Sequence, residues 1–266
     1  MTKRITPPQL QSHKGKTPLV ALTCYTAPMA KLLDAHCDIL LVGDSVGMVV
    51  YGMESTLGVT LPMMVAHTQA VCRGSKHAMI LADLPFGTYQ ASPAQAFESA
   101  APLLEAGAQA VKLEGGIEMA ETVKFLVERG VPVIAHIGLK PQFVQQMGGY
   151  KIQGKTTADR NRMLKEAKAL EAAGAIALLI EGTEEPTARA ITKALKIPTI
   201  GIGASPACDG QVLVTDDLLG MFPDFTPRFV RQYEKLAGRI GQAVSAYAAD
   251  VRSRKFPGAK EYFSGK

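Results

Sequence analysis

Five apolar stretches of this chain, rich in β-branched residues, each end in a side chain that can hold a metal ion or exchange a proton. In chain order these terminal residues are Asp44, Asp83, Glu114, His136 and Glu181. Lys112 lies two residues before Glu114, which places both side chains on the same face of an extended strand. Carboxylates grouped with a lysine and a histidine are typical of a metal-assisted catalytic site.

The same stretches predict the strands that must position these side chains. They are continuously apolar rather than alternating, which indicates burial on both faces and a parallel sheet with helical crossovers. The predicted strands cover 19–24, 38–43, 78–83, 110–115, 131–138, 176–182, 197–203 and, more weakly, 211–216. The predicted helices cover 26–36, 62–73, 93–106, 117–129, 157–173, 185–195 and 228–249. Ser92 followed by Pro93 is the clearest helix start.

Eight strand–helix units favour an α/β fold of the (β/α)8 TIM-barrel type. An open doubly wound sheet is the alternative, but the first strand–helix turn lacks the G-x-G-x-x-G pattern of its dinucleotide-binding form. In a barrel all strands end on one face, where barrel enzymes have their active sites. We expect one domain over residues 1–266, with a polar N-terminal segment and a C-terminal helix plus a short tail. That helix is either the eighth barrel helix or a contact with a neighbouring subunit.

Composition excludes several classes of protein. Of 266 residues, 47% are apolar, which is enough for a large core. The net charge of +5 is spread along the chain without interleaved aromatic residues, so no nucleic-acid partner is expected. No apolar stretch approaches the roughly 18 residues needed to span a bilayer, and no signal peptide is evident, so we expect a cytoplasmic protein without a membrane partner. The four cysteines are too scattered for a C-x-x-C motif and suit small buried hydrophobes.

Several candidate residues also have plain structural interpretations. Asp44 and Ser45 could cap a helix, and Glu114 could be a surface carboxylate at a strand exit. Lys112 could extend to solvent, although an unpaired lysine inside an apolar strand is costly, which favours a role as partner for an anion. His136 alone would more often be a hydrogen-bonded structural histidine, and only its position among the others makes it a candidate.

Two further interpretations concern chemistry. Glu181 ends a strand apolar enough to raise the pKa of a carboxylate, which suits a general base. Oxygen ligands without cysteine or paired histidines favour Mg²⁺ over Zn²⁺. The ion would be held by Asp44 and Asp83, with Glu114 bound directly or through water.

The glycines of the segment 201–204 have two interpretations: they either cradle a phosphate group or only allow the chain to turn.

Several stretches of the chain resemble those of a known protein family. The chain contains, in order, LVGDSVGMVVYG, HTQAVCRG, LADLPFGTY, AVKLEGG, HIGLKPQ, GGYKIQG, LEAAGA and IGIGASPACDGQVLV. This series resembles the ketopantoate hydroxymethyltransferase family over about residues 15–250. The resemblance implies a barrel of the phosphoenolpyruvate/pyruvate group. It also implies one-carbon transfer from 5,10-methylenetetrahydrofolate to 3-methyl-2-oxobutanoate, giving 2-dehydropantoate, with Mg²⁺ and a homodecameric assembly.

The resemblance also implies residue roles. Asp44, Asp83 and Glu114 match the family's magnesium site, and Ser45 with Asp44, Asp83 and Lys112 matches its 2-oxo-acid site. We place His136 with the substrate-binding group. Glu181 matches the proposed base, and the alternative bases are His136 or a metal-bound hydroxide.

One departure and two rival functions remain. Ser205 stands where the family usually has glycine, which leaves the folate-side loop in question. A magnesium-dependent lyase or mutase on the same barrel is the first rival, but none of the cysteines lies in the glycine-rich lid that such lyases commonly use. A non-catalytic binding barrel is the second, and it would not need acids at several strand ends beside a buried lysine.

Overall fold

The computed structural model describes residues 4–263 and confirms the predicted (β/α)8 barrel. Eight parallel strands close in chain order, and β1 is hydrogen-bonded to both β2 and β8. The strands are β1 (Leu19–Thr23), β2 (Ile39–Val42), β3 (Met79–Asp83), β4 (Ala110–Glu114), β5 (Val133–Gly138), β6 (Ala177–Glu181), β7 (Thr199–Ile202) and β8 (Gly210–Leu213).

The predicted helices also form, with boundaries moved by a few residues except at the start of the last one. The helices are α1 (Pro7–Gln11), α2 (Ala27–Leu33), α3 (Val46–Val49), α4 (Leu61–Gly74), α5 (Pro93–Glu105), α6 (Ala120–Glu128), α7 (Val144–Met147), α8 (Thr157–Ala172), α9 (Glu185–Ala194), α10 (Thr215–Leu218) and α11 (Leu236–Arg252). Short 3₁₀ helices cover Thr56–Gly58, Ile117–Met119 and Pro141–Phe143. Ser92 is the N-cap of α5 as predicted, and its hydroxyl accepts the N–H of Gln95 at 3.1 Å.

Two apolar layers explain why the strands are continuously apolar. Alternate strand residues such as Leu40 and Val42 join the large cluster that packs against the helices. Their neighbours Ile39 and Leu41 belong to a second cluster, which fills the interior of the barrel. Side chains of a strand point alternately to its two faces, so strands such as β2 and β3, which are buried throughout, are continuously apolar up to their C-terminal ends.

The described chain falls into two compact units that divide after Val214. The first unit contains the barrel. The second contains α10 and α11, and none of the described side chains of α11 is buried. The predicted start of this last helix at residue 228 is wrong, because the helix begins at Leu236. The backbone N–H groups of Tyr233 and Leu236 donate to the carbonyls of Leu218 and Leu219, which holds the preceding segment in a non-helical path.

The cysteines agree with one composition-based expectation. Cys24, Cys37 and Cys208 are buried in the apolar core, as expected for small hydrophobes. Within residues 4–263 no helix combines the length and the apolar character needed to cross a membrane.

Candidate active site

The barrel interior changes from apolar to charged at the C-terminal ends of its strands. On β4 the inward series runs from Ala110 to Lys112 and Glu114, because alternate residues share a face. On β5 it runs from Ile134 to His136. The register pairs Asp83 with Lys112 and Glu114 with His136 on adjacent strands. The alternation that fills the interior therefore also gathers the predicted residues into one pocket.

Asp83 and Asp44 form the first half of this pocket, and both are buried. Oδ2 of Asp83 accepts the backbone N–H of Asp44 at 3.0 Å and lies 3.2 Å from Nζ of Lys112. Burial raises the pKa of Asp83 to about 7, and the nearby Lys112 only partly opposes this rise. The raised pKa therefore reflects the removal of this carboxylate from water, which the one adjacent ammonium group does not fully offset.

Lys112 is the single cation at the centre of the cluster and is only 4% exposed. Besides Asp83, its ammonium lies 3.9 Å from Oε1 of Glu114 and 3.3 Å from Nδ1 of His136. Burial alone would lower the pKa of Lys112, but the surrounding carboxylates raise it above its usual value. The alternative of a lysine that extends to solvent therefore does not apply.

Glu114 is completely buried, so it is not a surface carboxylate at a strand exit. Its Oε2 accepts the backbone N–H of Gln142 at 3.1 Å, while Oε1 lies 3.6 Å from Nδ1 of His136. Burial raises the pKa of Glu114 well above its usual value. Burial, together with the charge of Lys112, lowers the pKa of His136 well below its usual value, so the imidazole is neutral.

Glu181 lies at the end of β6, with its Oε2 3.4 Å from Nε2 of His136. The side chain of Glu181 is 20% exposed to solvent, whereas Glu114 is completely buried. Burial raises the pKa of Glu181 to about 8, against the opposing effect of Lys112. A carboxylate that is accessible and has a pKa near neutrality is suited to accept a proton from carbon.

Ser45 lies beside these acids, half-buried, and its Oγ is 2.8 Å from the hydroxyl of Tyr25. The helix α3 begins immediately after it, but Ser45 makes no side-chain capping hydrogen bond. Gly43 leaves room for this arrangement, since a Cβ there would lie 2.8 Å from the Ser45 hydroxyl oxygen. The hydroxyl thus faces Tyr25 rather than the start of the helix.

Sequence reasoning missed two buried residues of the pocket, Tyr89 and Gln142. The Tyr89 hydroxyl lies 2.7 Å from Oε1 of Gln142 and accepts the backbone N–H of Glu114 at 3.1 Å. Nε2 of Gln142 donates to Oδ2 of Asp44 at 2.8 Å. Tyr89 ends the stretch LADLPFGTY and Gln142 ends HIGLKPQ, so the family resemblance could have pointed to them. No periodic pattern distinguishes either residue from its neighbours.

The donor set fits a hard divalent cation. Across residues 4–263, Oδ1 of Asp83 and Oε1 of Glu114 are buried side-chain oxygens that lack a hydrogen-bond partner. Four carboxylates surround one ammonium group, so a cation would relieve the excess negative charge. In the described part of the chain no three His, Cys, Asp or Glu side chains are arranged to hold an ion by themselves. The oxygen donors of the pocket are of the type that Mg²⁺ prefers, since this ion commonly takes one or two carboxylates and completes its shell with water and substrate oxygens.

The glycine-rich loop after β7 is fixed from within the chain. Ser205 is buried, and its hydroxyl donates to Oε1 of Glu185 at 2.8 Å and accepts the N–H of Ala207 at 3.0 Å. The serine at this family-glycine position therefore links the loop to the first residue of α9. A groove of about 570 Å³ between the starts of α8 and α9 contains Lys155, Arg160 and Glu184 but none of the predicted residues.

Comparisons with known proteins identify the family to which the chain is similar. The sequence profile of the ketopantoate hydroxymethyltransferase family matches residues 4–259. The chain is 57% identical to the 3-methyl-2-oxobutanoate hydroxymethyltransferase of Brucella canis over 265 residues, which is 99% of this chain and 96% of the relative. It is 58% identical to the enzyme of the same name from Rhizobium etli over 262 residues, which is 98% of this chain and 96% of the relative.

Two solved structures resemble the barrel at low sequence identity. A phosphonopyruvate hydrolase in complex with oxalate and Mg²⁺ has a TM-score of 0.62 at 15% identity, covering 97% of this chain and 93% of its own. A 2,3-dimethylmalate lyase of the phosphoenolpyruvate mutase/isocitrate lyase superfamily has a TM-score of 0.58 at 19% identity, covering 97% and 88%. At these identities the likeness shows a shared fold.

Proposed function

The chain belongs to the ketopantoate hydroxymethyltransferase family, as its sequence motifs predict, and we propose that it uses 5,10-methylenetetrahydrofolate to hydroxymethylate 3-methyl-2-oxobutanoate. It is a hydroxymethyltransferase of the pantothenate pathway, which supplies coenzyme A synthesis. The observation that carries the proposal is the buried cluster of four acids around Lys112, with two unpartnered carboxylate oxygens. The identity of the one-carbon donor, the metal ion and the roles of the residues are our proposal.

The proposed reaction replaces one bond at carbon C3 of the 2-oxo acid. The C3–H bond breaks, and the resulting carbanion equivalent forms a C–C bond with the one-carbon unit of the folate. Water supplies the hydroxyl group, and tetrahydrofolate and 2-dehydropantoate leave. The protein must therefore lower the cost of removing the C3 proton and hold the two substrates together.

We assign Asp44 and Asp83 to Mg²⁺, with Glu114 as a direct or water-mediated ligand. Their oxygen donors, burial and excess negative charge support this assignment. When bound, Mg²⁺ would act as a Lewis acid that stabilises negative charge on the keto oxygen of the substrate.

The remaining side chains bind and orient the 2-oxo acid. Lys112 supplies a permanent positive charge for the substrate's negatively charged oxygens. Ser45, held by Tyr25, offers a hydroxyl group, and neutral His136 lies between Lys112 and Glu181. Glu181 removes the C3 proton, because its carboxylate is accessible to a bound substrate and burial raises its pKa to about 8.

The non-catalytic barrel and the related lyase or mutase are weaker candidates. The family profile spans nearly the whole chain, whereas the lyase and hydrolase structures share only the barrel at identities below 20%. The family resemblance also implies the homodecamer, which we include in the proposal and which multi-angle light scattering would test.

The decisive experiment is a product assay. Purified protein is incubated with Mg²⁺, 3-methyl-2-oxobutanoate and 5,10-methylenetetrahydrofolate carrying ¹³C in its one-carbon unit. We expect mass spectrometry to detect ¹³C-labelled 2-dehydropantoate, and we expect EDTA to abolish it. Unlabelled product, or formation of pyruvate-type cleavage products instead, would contradict the proposal.

A further inference from the structure

Gln142 lies in the 3₁₀ helix after β5, and its side chain is almost completely buried, at 3% exposure. Nε2 donates to Oδ2 of Asp44 at 2.8 Å and to the carbonyl oxygen of Leu84 at 2.9 Å. Oε1 lies 2.7 Å from the Tyr89 hydroxyl and 3.2 Å from Nε2 of Gln90. All the hydrogen-bonding capacity of the amide group is therefore used within the protein.

The contacts of Gln90 determine the orientation of the Gln142 side-chain amide, that is, which position holds its oxygen and which its nitrogen. The backbone N–H of Gly87 can only donate, and it lies 2.8 Å from Oε1 of Gln90. The amide nitrogen of Gln90 must then face Gln142, so the atom it approaches is the Gln142 oxygen. The NH₂ group of Gln142 consequently faces Asp44, an orientation assigned from the network of neighbours.

The backbone of Gln142 makes a second contact with the acid cluster. Its N–H donates to Oε2 of Glu114 at 3.1 Å. One residue thus holds one oxygen of Asp44 through its side chain and one oxygen of Glu114 through its main chain. The other oxygen of Glu114, Oε1, has no hydrogen-bond partner within residues 4–263.

We propose that Gln142 is a positioning residue for the divalent cation, which fixes the orientation of Asp44 and Glu114 so that their remaining oxygens are available to the ion. This inference rests on the proposed function, which assigns those two carboxylates to Mg²⁺. The physical reason is preorganisation: a carboxylate already held by one oxygen loses little conformational freedom when the ion binds. Partners that orient metal ligands in this way typically contribute about 10- to 100-fold to metal affinity or activity.

A purely structural role for Gln142 would have a different consequence. The bond to Leu84 joins the loops after β3 and β5, so losing it would lower stability whether or not a cation is present. A positioning role predicts that cation affinity falls even when the variant is fully folded. It also predicts that saturating Mg²⁺ restores most of the turnover number.

The test compares Gln142→Leu, which keeps an apolar side chain of similar volume but removes the polar atoms that reach Asp44, with Gln90→Ala as a matched control. Gln90→Ala removes the hydrogen bond that Nε2 of Gln90 donates to Oε1 of Gln142, but it leaves the hydrogen bonds from Gln142 to Asp44 and Glu114 in place. Full-length protein freed of metal with EDTA is titrated with Mn²⁺, and the loss of the free-ion EPR signal gives the Kd. Mg²⁺ competition then gives its Kd, and thermal melts in EDTA report the stability without metal.

We expect Gln142→Leu to weaken Mn²⁺ and Mg²⁺ binding by about 10-fold or more, and Gln90→Ala to stay within about twofold of the wild type. Affinity equal to wild type in folded Gln142→Leu would overturn the inference and leave the proposed function intact. Failure of the wild type itself to bind either cation, with or without 2-oxo acid, would instead overturn the proposed metal site and this inference with it. If Gln142→Leu does not fold, Gln142→Asn, one methylene too short to reach Asp44, takes its place with the same expectation.

Discussion

The ammonium group of Lys112 lies 3.3 Å from Nδ1 of His136 inside the barrel. An ammonium group can only donate a hydrogen bond, so Nδ1 is the acceptor, and the neutral ring carries its proton on Nε2. That nitrogen faces Oε2 of Glu181 at 3.4 Å. Nδ1 of His136 is therefore occupied by Lys112, and the protonated Nε2 has no hydrogen-bond partner among the described residues. The neutral ring thus has no free acceptor nitrogen, which leaves Glu181 as the better candidate for the base.

The role of Glu181 is tested by Glu181→Gln. The amide keeps the shape of the side chain but cannot accept the C3 proton, so exchange of the substrate's C3 hydrogen with deuterated water should slow by about 10²–10⁴-fold. Proton NMR without folate measures this step separately from carbon transfer, and 2-oxo-acid affinity should stay close to that of the wild type. Exchange at the wild-type rate would exclude Glu181 and transfer the assignment to His136.

The role of Lys112 is tested by Lys112→Met, which keeps the apolar stem and removes the charge. Loss of a hydrogen bond to a charged group costs about 1.5–3 kcal/mol, so calorimetry with Mg²⁺ but no folate should show 2-oxo-acid binding weakened by about 10- to 100-fold. Lys140→Met is the control, since Lys140 forms a more exposed ion pair with Glu118 at 3.5 Å. Equal affinities of Lys112→Met and the wild type would remove Lys112 from the binding site.

The role of Asp83 in metal binding is tested by Asp83→Asn. The amide can still accept the N–H of Asp44, but it is a weaker ligand without charge, so Mn²⁺ and Mg²⁺ affinity should fall by more than about 10-fold. Asp209→Asn is the matched control, because Asp209 is a buried acid paired with Lys14 at 2.8 Å at the opposite end of the barrel. If both variants bind Mn²⁺ equally well, Asp83 is not a ligand.

The partly buried carboxyl of Glu181 should make metal-free stability depend on pH. Burial raises its pKa from 4.5 to about 8, so the folded state binds the proton more tightly than the unfolded state does. This contribution therefore lowers the free energy of unfolding as pH rises from about 4.5 to about 8. In EDTA, Glu181→Gln should gain more stability over the wild type at about pH 8.5 than at about pH 5.

Urea denaturation at the two pH values measures that difference. The exposed helical carboxylate Glu98 supplies the control variant, Glu98→Gln, which makes the same chemical change outside the pocket. A Glu181→Gln gain of the same size at both pH values would contradict a raised pKa.

The barrel and most of the pocket were predictable because burial on both faces of each strand imposes a clear apolar pattern. Where the pattern ends in a charged residue, the barrel brings that residue to the common face, and this correctly grouped Asp83 with Lys112 and Glu114 with His136. The burial of Asp83 was less predictable from its position at a strand end. It accompanies contacts with Lys112 on the neighbouring strand β4 and with the N–H of Asp44 in the loop after β2.

Gln142 and the start of α11 were not predictable for a different reason. Gln142 contacts Asp44, 98 residues away, and Glu114, 28 residues away, and a glutamine in a loop carries no local signal for such contacts. The segment before Leu236 has an amphipathic pattern, but its N–H groups bond to carbonyls of 218–220 instead of forming helical turns. In both cases tertiary hydrogen bonds override local sequence preference.

The apolar cluster inside the barrel has a kinetic consequence. Leu10 of α1 joins it with no exposed surface, together with Leu19, Ile39 and Met79, so the floor beneath the acids is sealed by side chains. Substrates and products must then enter and leave from the opposite end of the barrel. A molecule bound close to the apolar cluster cannot leave while another is bound between it and solvent. In the proposed reaction the 2-oxo acid binds at these acids, on the sealed side, so we expect an ordered mechanism in which the 2-oxo acid binds before the one-carbon donor and the product 2-dehydropantoate leaves last.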